Sequence, residues 1–257
     1  RVLKKEELAQ EYECRAEKTL AAIRKEFYTP GGRCAAATQT GQAMSLHFNL
    51  APEEFRGKIT KQLQKLLRDN DMHLKTGFLG TPILCRALSD NGAAEDAYTL
   101  FLKEDLPSWL YEVNMGATTI WERWNSILPN GKISGIGMNS MNHYAYGAVV
   151  EWMYRNVCGL NPCEDAPGFK KIVLRPQPDR RLGKAFAKVD TAAGRVESGW
   201  EFKGDFVEYR FVVPFDTVAE LWISTKELKN CMMNGEKLSI GNDRIHSMLP
   251  AGNYHFC

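Results

Sequence analysis

The residues best equipped for chemistry stand in one short run, Gly116-Ala-Thr-Thr-Ile-Trp-Glu-Arg-Trp124. Trp121 and Trp124 bracket Glu122 and Arg123. The electron-rich faces of indoles pack against the C–H faces of sugar rings, while a carboxylate accepts from hydroxyls and moves protons. A Glu held among indoles is poorly solvated, and that raises its pKa toward an acid–base range. The same run also fits a Trp-rich turn with an ordinary Glu–Arg ion pair, and composition alone leaves both readings open. A second run is Asn139-Ser-Met-Asn-His-Tyr-Ala-Tyr-Gly147. Its His143 donates to a substrate hydroxyl or orients a carboxylate, or else is a half-buried imidazole satisfied by a neighbouring backbone carbonyl. The third run, Lys75-Thr-Gly-Phe-Leu-Gly-Thr-Pro82, is a helix start that needs two glycines or a substrate-contacting segment.

Other chemistries find no footing. The phosphate-cradling pattern Gly-x-x-x-x-Gly-Lys-Ser/Thr is absent, as is the nucleophile elbow Gly-x-Ser-x-Gly. Gly135-Ile-Gly-Met-Asn-Ser140 lacks the strand unit that a dinucleotide-binding turn needs before it. The seven Cys, at 14, 34, 85, 158, 163, 231 and 257, include no Cys-x-x-Cys pair. They are expected to be ordinary buried thiols, and neither a metal nor a cofactor is expected. Such usage fits a reducing compartment, or an exported protein with a single bridge. His47 and His73 are expected in helical stretches as structural or surface groups, and His246 and His255 in strands.

The elements that must position these runs are helical over the first two-thirds. Leu8, Tyr12, Ala16, Leu20, Ile23 and Phe27 form one apolar stripe, which Pro30-Gly-Gly32 ends. A second helix is predicted from Thr38 or Thr40 to about Leu50. A third follows Pro52, with Phe55, Ile59, Leu63 and Leu66 or Leu67 inward. A fourth is predicted to open at Thr81-Pro82 and to end at Asp90-Asn-Gly92, and a fifth to cover Ala93 to Lys103. A sixth is signalled by Met141, Tyr144, Ala145, Ala148 and Trp152, and stops near Gly159. Between the fifth and sixth, Pro107 to Gly137 reads as a long loop holding Trp109, Trp121 and Trp124. Long aromatic-rich loops at one end of a helical scaffold are where ligand sites sit.

From about Gly168 the period changes to that of strands. Candidates are Phe169–Arg175, Ala185–Asp190, Gly194–Phe202, Phe206–Val213, Val218–Ser224 and Asn253–Phe256, with turns at Lys203-Gly-Asp205 and Asn234-Gly235. Short strands separated by turns predict an antiparallel β-sandwich. The expected division is a helical domain over residues 1–163 and a β-domain over 164–257.

A length of 257 residues suits two domains at ~150 residues each. Thirty-three Lys and Arg against thirty-one Asp and Glu leave a net charge of +2, which argues against a dedicated nucleic-acid binder. The basic run Lys58 to Arg68 has an apolar residue at every third or fourth position, as a solvated helix face does. Without a run of ~18 apolar residues, no membrane span is expected. The chain opens Arg-Val-Leu-Lys with neither Met nor a signal pattern, so the compartment is left open.

Taken together, the runs Thr38-Gln-Thr-Gly-Gln-Ala43, Lys75-Thr-Gly-Phe-Leu-Gly-Thr-Pro82, Gly116 to Trp124 and Asn142-His-Tyr-Ala-Tyr-Gly147 resemble the α-L-rhamnosidases of glycoside hydrolase family 78. Pro167-Gly-Phe-Lys-Lys-Ile-Val-Leu-Arg-Pro176 is similar to the start of that family's C-terminal β-domain. The resemblance implies an α/α-toroid, the six-hairpin (α/α)6 barrel, followed by an antiparallel β-sandwich. It implies hydrolysis of terminal α-L-rhamnosyl bonds with inversion, on a rhamnose-containing glycoside or polysaccharide. It gives Glu122 the role of general base and His143 a sugar contact, with Trp121, Trp124 and Arg123 as further substrate-binding positions. The family's general acid belongs to an upstream acidic motif that Glu6-Glu7 and Glu53-Glu54 do not match. About six helices stand here where six hairpins need twelve. The expectation is therefore the second half of a barrel plus a sandwich, inactive without the N-terminal part of the same polypeptide and prone to self-association. Another (α/α)6-barrel glycosidase, a non-catalytic carbohydrate-binding protein, or a helical scaffold module are the competing readings.

Overall fold

The computed structural model describes residues 3–135, 137–224, 231–238 and 244–257. Arg1, Val2, Ile136 and the side chain of Cys231, expected above to be a buried thiol, lie outside the described residues. Two compact units divide the chain, Arg1–Gly147 and Ala148–Cys257.

In the first unit, α1 (Glu6–Phe27) carries Glu6 and Glu7 in its first turn and Arg24 and Lys25 in its last, matching the helix dipole at both ends. No residue of α1 is buried. Only Leu20 and Ile23 of its predicted stripe are half-buried. Arg24 Nε ties the end of the helix to the Leu50 carbonyl at 3.1 Å. α2 (Gln39–His47) is capped by Thr38, whose hydroxyl accepts from Gly41 N–H at 3.0 Å. A 3-10 turn, Glu53–Phe55, leads into α3 (Arg56–Arg68), and Ile59, Leu63 and Leu67 are its buried stripe. α4 (Gly77–Ser89) packs against α2 and against α5 (Ala94–Phe101). Leu46, Leu84, Leu88, Tyr98 and Leu100 complete this core.

Four expectations change here. α4 opens at Gly77 rather than at Thr81, so Pro82 sits inside it. The segment can coil early because Gly77 takes a left-handed φ of 57° and Gly80 lets the helix approach α2. The long loop contains a six-residue helix, α6 (Trp109–Asn114), capped by Ser108, which accepts from Tyr111 N–H at 3.1 Å. Its length is under two turns, too short for an apolar period to show. The sixth predicted helix is broken into a 3-10 turn (Ala145–Ala148), α7 (Val149–Trp152) and a π turn (Met153–Val157). His73 lies beyond α3 rather than in a helix, and its Nε2 meets Asp105 at 2.8 Å, which lowers the Asp105 pKa.

The second unit is built on two sheets. One runs β1 (Leu160–Pro162), β2 (Lys171–Leu174), β6 (Val218–Ser224) and β9 (Arg244–Leu249). Its β2–β6 pair is parallel and the rest antiparallel. The other runs β3 (Lys184–Thr191), β4 (Gly194–Lys203), β5 (Phe206–Val213), β10 (Gly252–Phe256), β7 (Cys231–Met233) and β8 (Glu236–Leu238), antiparallel throughout. Inward residues alternate along β5 and β6. Val207, Tyr209, Phe211 and Val213 of β5 are buried, as are Ala219, Leu221 and Ile223 of β6. Gly159 must be glycine: its φ is 69°, and a Cβ there would stand 2.0 Å from Pro176 N. Burial pushes the thiols of Cys85 and Cys158 up to about 12, so both stay protonated as ordinary core thiols; against expectation, Cys14 is exposed on the uncovered α1, and Cys163 and Cys257 are only half-buried.

Candidate active site

The first two chemical runs are brought side by side by backbone pairing. Glu122 N–H donates to Ser140 O at 2.9 Å, and His143 N–H donates to Ile120 O at 2.8 Å. Thr119 Oγ1 adds a bond to the Met141 carbonyl. The intervening loop is folded back on itself by an Ile127–Ile133 bridge and by Ser126, which is fully buried. Ser126 Oγ lies 2.5 Å from Asn139 Oδ1 and 2.9 Å from Arg123 O, and accepts from Arg123 N–H. Asn139 in turn donates to Gly135 O at 2.9 Å.

Glu122 itself is half-buried, and its Oε2 accepts from Ser140 N–H at 2.7 Å. A short bond from a backbone donor orients the carboxylate. His143 Nδ1 accepts from Ala145 N–H at 3.3 Å, which leaves Nε2 as the protonated nitrogen of the neutral ring. The imidazole stacks between Phe78 (centroids 4.8 Å) and Tyr144 (5.3 Å). Phe78 belongs to the third run, so the segment from Lys75 to Pro82 also reaches this site. Gly80 makes that approach possible: a Cβ there would stand 2.6 Å from Thr40 Oγ1 and 2.7 Å from Thr76 Cβ.

The two tryptophans part ways. Trp121 is 2% exposed and belongs to the core. Trp124 keeps partial exposure, stacks on Tyr146 at 3.9 Å and 7°, and meets Trp109 edge-on at 5.3 Å. Arg123 is exposed and donates from its guanidinium to Gly137 O at 2.6 Å.

The desolvated carboxyl is one that the motif does not contain. Glu112 of α6 is 2% exposed, its Oε2 accepts from Trp121 N–H at 3.3 Å, and its Oε1 is buried without a partner. Burial pushes its pKa up to about 7, against a small opposing effect of the Trp121 bond. The nearby Tyr146 is raised too, by burial and then by the charges of Glu112 and Glu122. The signal for Glu112 was present as a single acidic residue in the otherwise apolar Trp109-Leu-Tyr-Glu-Val113. Among the described residues no group of three or more His, Cys, Asp or Glu converges as metal ligands would.

Packed helices with paired loop segments that carry aromatic, imidazole and carboxylate groups, followed by a two-sheet β-domain, are the architecture of part of a six-hairpin glycosidase domain with its C-terminal domain. A family model of the bacterial alpha-L-rhamnosidase 6 hairpin glycosidase domain matches residues 1–157, and one of the bacterial alpha-L-rhamnosidase C-terminal domain matches residues 159–238. The chain belongs to the bacterial α-L-rhamnosidase family. It is 37% identical to an alpha-L-rhamnosidase of Formosa agariphila, over 99% of this chain and 28% of that protein. It is 40% identical to one of Streptomyces avermitilis, over 78% of this chain and 20% of that protein. The crystal structure of the Streptomyces avermitilis alpha-L-rhamnosidase complexed with L-rhamnose superimposes with a TM-score of 0.88 at 33% identity, covering 96% of this chain and 24% of that one. The alpha-L-rhamnosidase of Dictyoglumus thermophilum gives 0.87 at 28% identity, covering 99% and 29%. The chain thus spans roughly a quarter of the length of the relatives it matches.

Proposed function

We propose that this chain supplies the base side of an α-L-rhamnosidase active site, acting on terminal α-L-rhamnosyl bonds of glycosides or polysaccharides with inversion. Glu122 is the general base. Its Oε2 is held by Ser140 N–H, and in this reading its remaining lone pairs accept from the attacking water. As the water oxygen attacks the anomeric carbon, Glu122 takes its proton, the glycosidic C–O bond breaks, and a second carboxyl protonates the leaving oxygen. Glu112, sealed in the core, does not reach a sugar. In this reading the acid comes from polypeptide other than these 257 residues. His143 donates from Nε2 to a sugar hydroxyl, Trp124 is the aromatic wall, Arg123 lies on the rim, and Trp121 backs Glu122 from the core. A second copy of the chain covers the exposed apolar stripe of α1.

The observation that carries the reading is a carboxylate oriented by a 2.7 Å backbone bond, in the segment that pairs with the His143 segment. Two assays test it. The isolated chain is expected to release no p-nitrophenol from p-nitrophenyl α-L-rhamnoside, and robust turnover would overturn the assignment of the acid. In a full-length enzyme containing this chain, Glu122→Gln is expected to lower kcat/KM by about 10²–10⁴-fold. Unaltered activity in that variant would overturn the base. Proton NMR of the first-formed sugar reads the stereochemistry, with β-L-rhamnose expected.

A further inference from the structure

The outward face of the six-stranded sheet carries a hollow of ≈ 380 Å³ over β3, β4 and β5. That volume lies in the ~300–1,000 Å³ range of ligand clefts. Cross-strand register explains how it arises. Phe186, Gly199 and Arg210 are partners in one row, and Lys184, Glu201 and Glu208 in the neighbouring row on the same face. Gly199 leaves the space: a Cβ there would stand 2.8 Å from Phe186 Cδ2. The phenyl ring lies across this gap yet stays 60% exposed, an open apolar platform. Its floor is firm, because Trp200 is buried on the opposite face of β4 and donates Nε1–H to Val157 O at 2.7 Å.

The polar groups around the ring are balanced in charge. Lys184 and Arg210 face Glu201 and Glu208. Glu208 meets Arg210 at 3.5 Å and His255 Nε2 at 3.6 Å, and Glu201 meets Lys203 at 2.7 Å. The Arg210 side chain is 71% exposed, so most of its five donors are open to a ligand. An anionic ligand would meet two carboxylates, and a cationic one two bases. An extended apolar partner would strip water from four charged groups without pairing them. A neutral sugar satisfies all of them. Its C–H face covers the phenyl ring, and its vicinal hydroxyls donate to carboxylates and accept from the guanidinium.

We propose that this hollow is a non-catalytic binding site for a neutral saccharide unit, stacked on Phe186 and held by Arg210 and Glu201. It stands apart from the hydrolytic reading, since none of its residues belongs to the helical unit. An aromatic covering a cross-strand glycine also stabilises a sheet, so the test must separate cover from recognition. Phe186→Leu keeps apolar cover and removes the aromatic face.

The experiment titrates the ¹⁵N-labelled full chain with L-rhamnose, cellotetraose and galactotetraose as neutral probes and tetragalacturonate as the anionic one. At least one neutral probe is expected to shift the amides of residues 186, 199, 200 and 210. Phe186→Leu and Arg210→Ala are each expected to weaken that binding about tenfold, with the other amides of the sheet unmoved. Four results would overturn the proposal: no shift there with any neutral probe at millimolar sugar, shifts with tetragalacturonate alone, undiminished binding in Phe186→Leu, or sugar-independent shifts that grow with protein concentration and mark a second copy on this face.

Discussion

Two glutamates ten residues apart occupy opposite environments. Glu122 is half-buried and aimed by a short backbone donor. Glu112 is sealed, with one oxygen unpartnered and its pKa pushed up to about 7. An exposed Glu titrates near ~4.3, so between these values the folded chain holds a proton that the unfolded chain has lost. The resulting stability is full below the lower value and is lost as pH rises through about 7, where Glu112 must ionise in the core. Glu112→Gln keeps the acceptor for Trp121 N–H and removes that charge. It is expected to match the parent near pH 4.5 and to exceed it at pH 8 by up to a few kcal/mol, at ~1.4 kcal/mol per pH unit. Urea midpoints at the two pH values check this, and an equal loss at both would refute it. The motif marked Glu122 and His143 as candidates for chemistry. It did not reveal that Glu112 supports Trp121 from behind, because that contact joins a helix to a loop.

At the scale of elements, the long buried helices and strands followed from period and turn residues. Ile59, Leu63 and Leu67 face inward as spaced, and Lys203-Gly-Asp205 lies where β4 gives way to β5. Elements of three to six residues, such as β1, β7 and α6, escaped notice because so few residues carry no period. Pro82 misplaced the start of α4, since proline marks a first turn only when the residues before it cannot coil. Gly80 is the element-scale test. Its missing Cβ sets the distance between α4 and α2, and through Phe78 the stacking on His143. Gly80→Ala must displace Thr40 and Thr76, at a cost of about 1–3 kcal/mol. Denaturant melts should register that loss, and the His143 ring resonances should move with it. A variant as stable as the parent, with unmoved resonances, would contradict the close approach.

For the whole molecule, α1 is the outlier. A 22-residue helix with an apolar stripe leaves Leu20 and Ile23 only half-buried, and Leu8, Tyr12 and Phe27 stay exposed. Apolar patches of that kind drive association. The isolated chain is expected to show concentration-dependent dimers in sedimentation velocity, reduced in Leu8→Lys/Tyr12→Lys. A monodisperse monomer at every concentration would refute this. The local sequence by itself determined the helix-to-strand change, most element cores and the candidate residues for sugar chemistry, because period, turn preference and functional groups are properties of neighbours along the chain. The tertiary structure alone decided which of two carboxyls is desolvated, that Trp124 rather than Trp121 keeps partial exposure, and that β2 and β6 pair in parallel. Solvation and strand pairing depend on what packs from distant positions. Tyr146 beneath Trp124 and Ser140 beside Glu122 are such partners, and no local pattern encodes them.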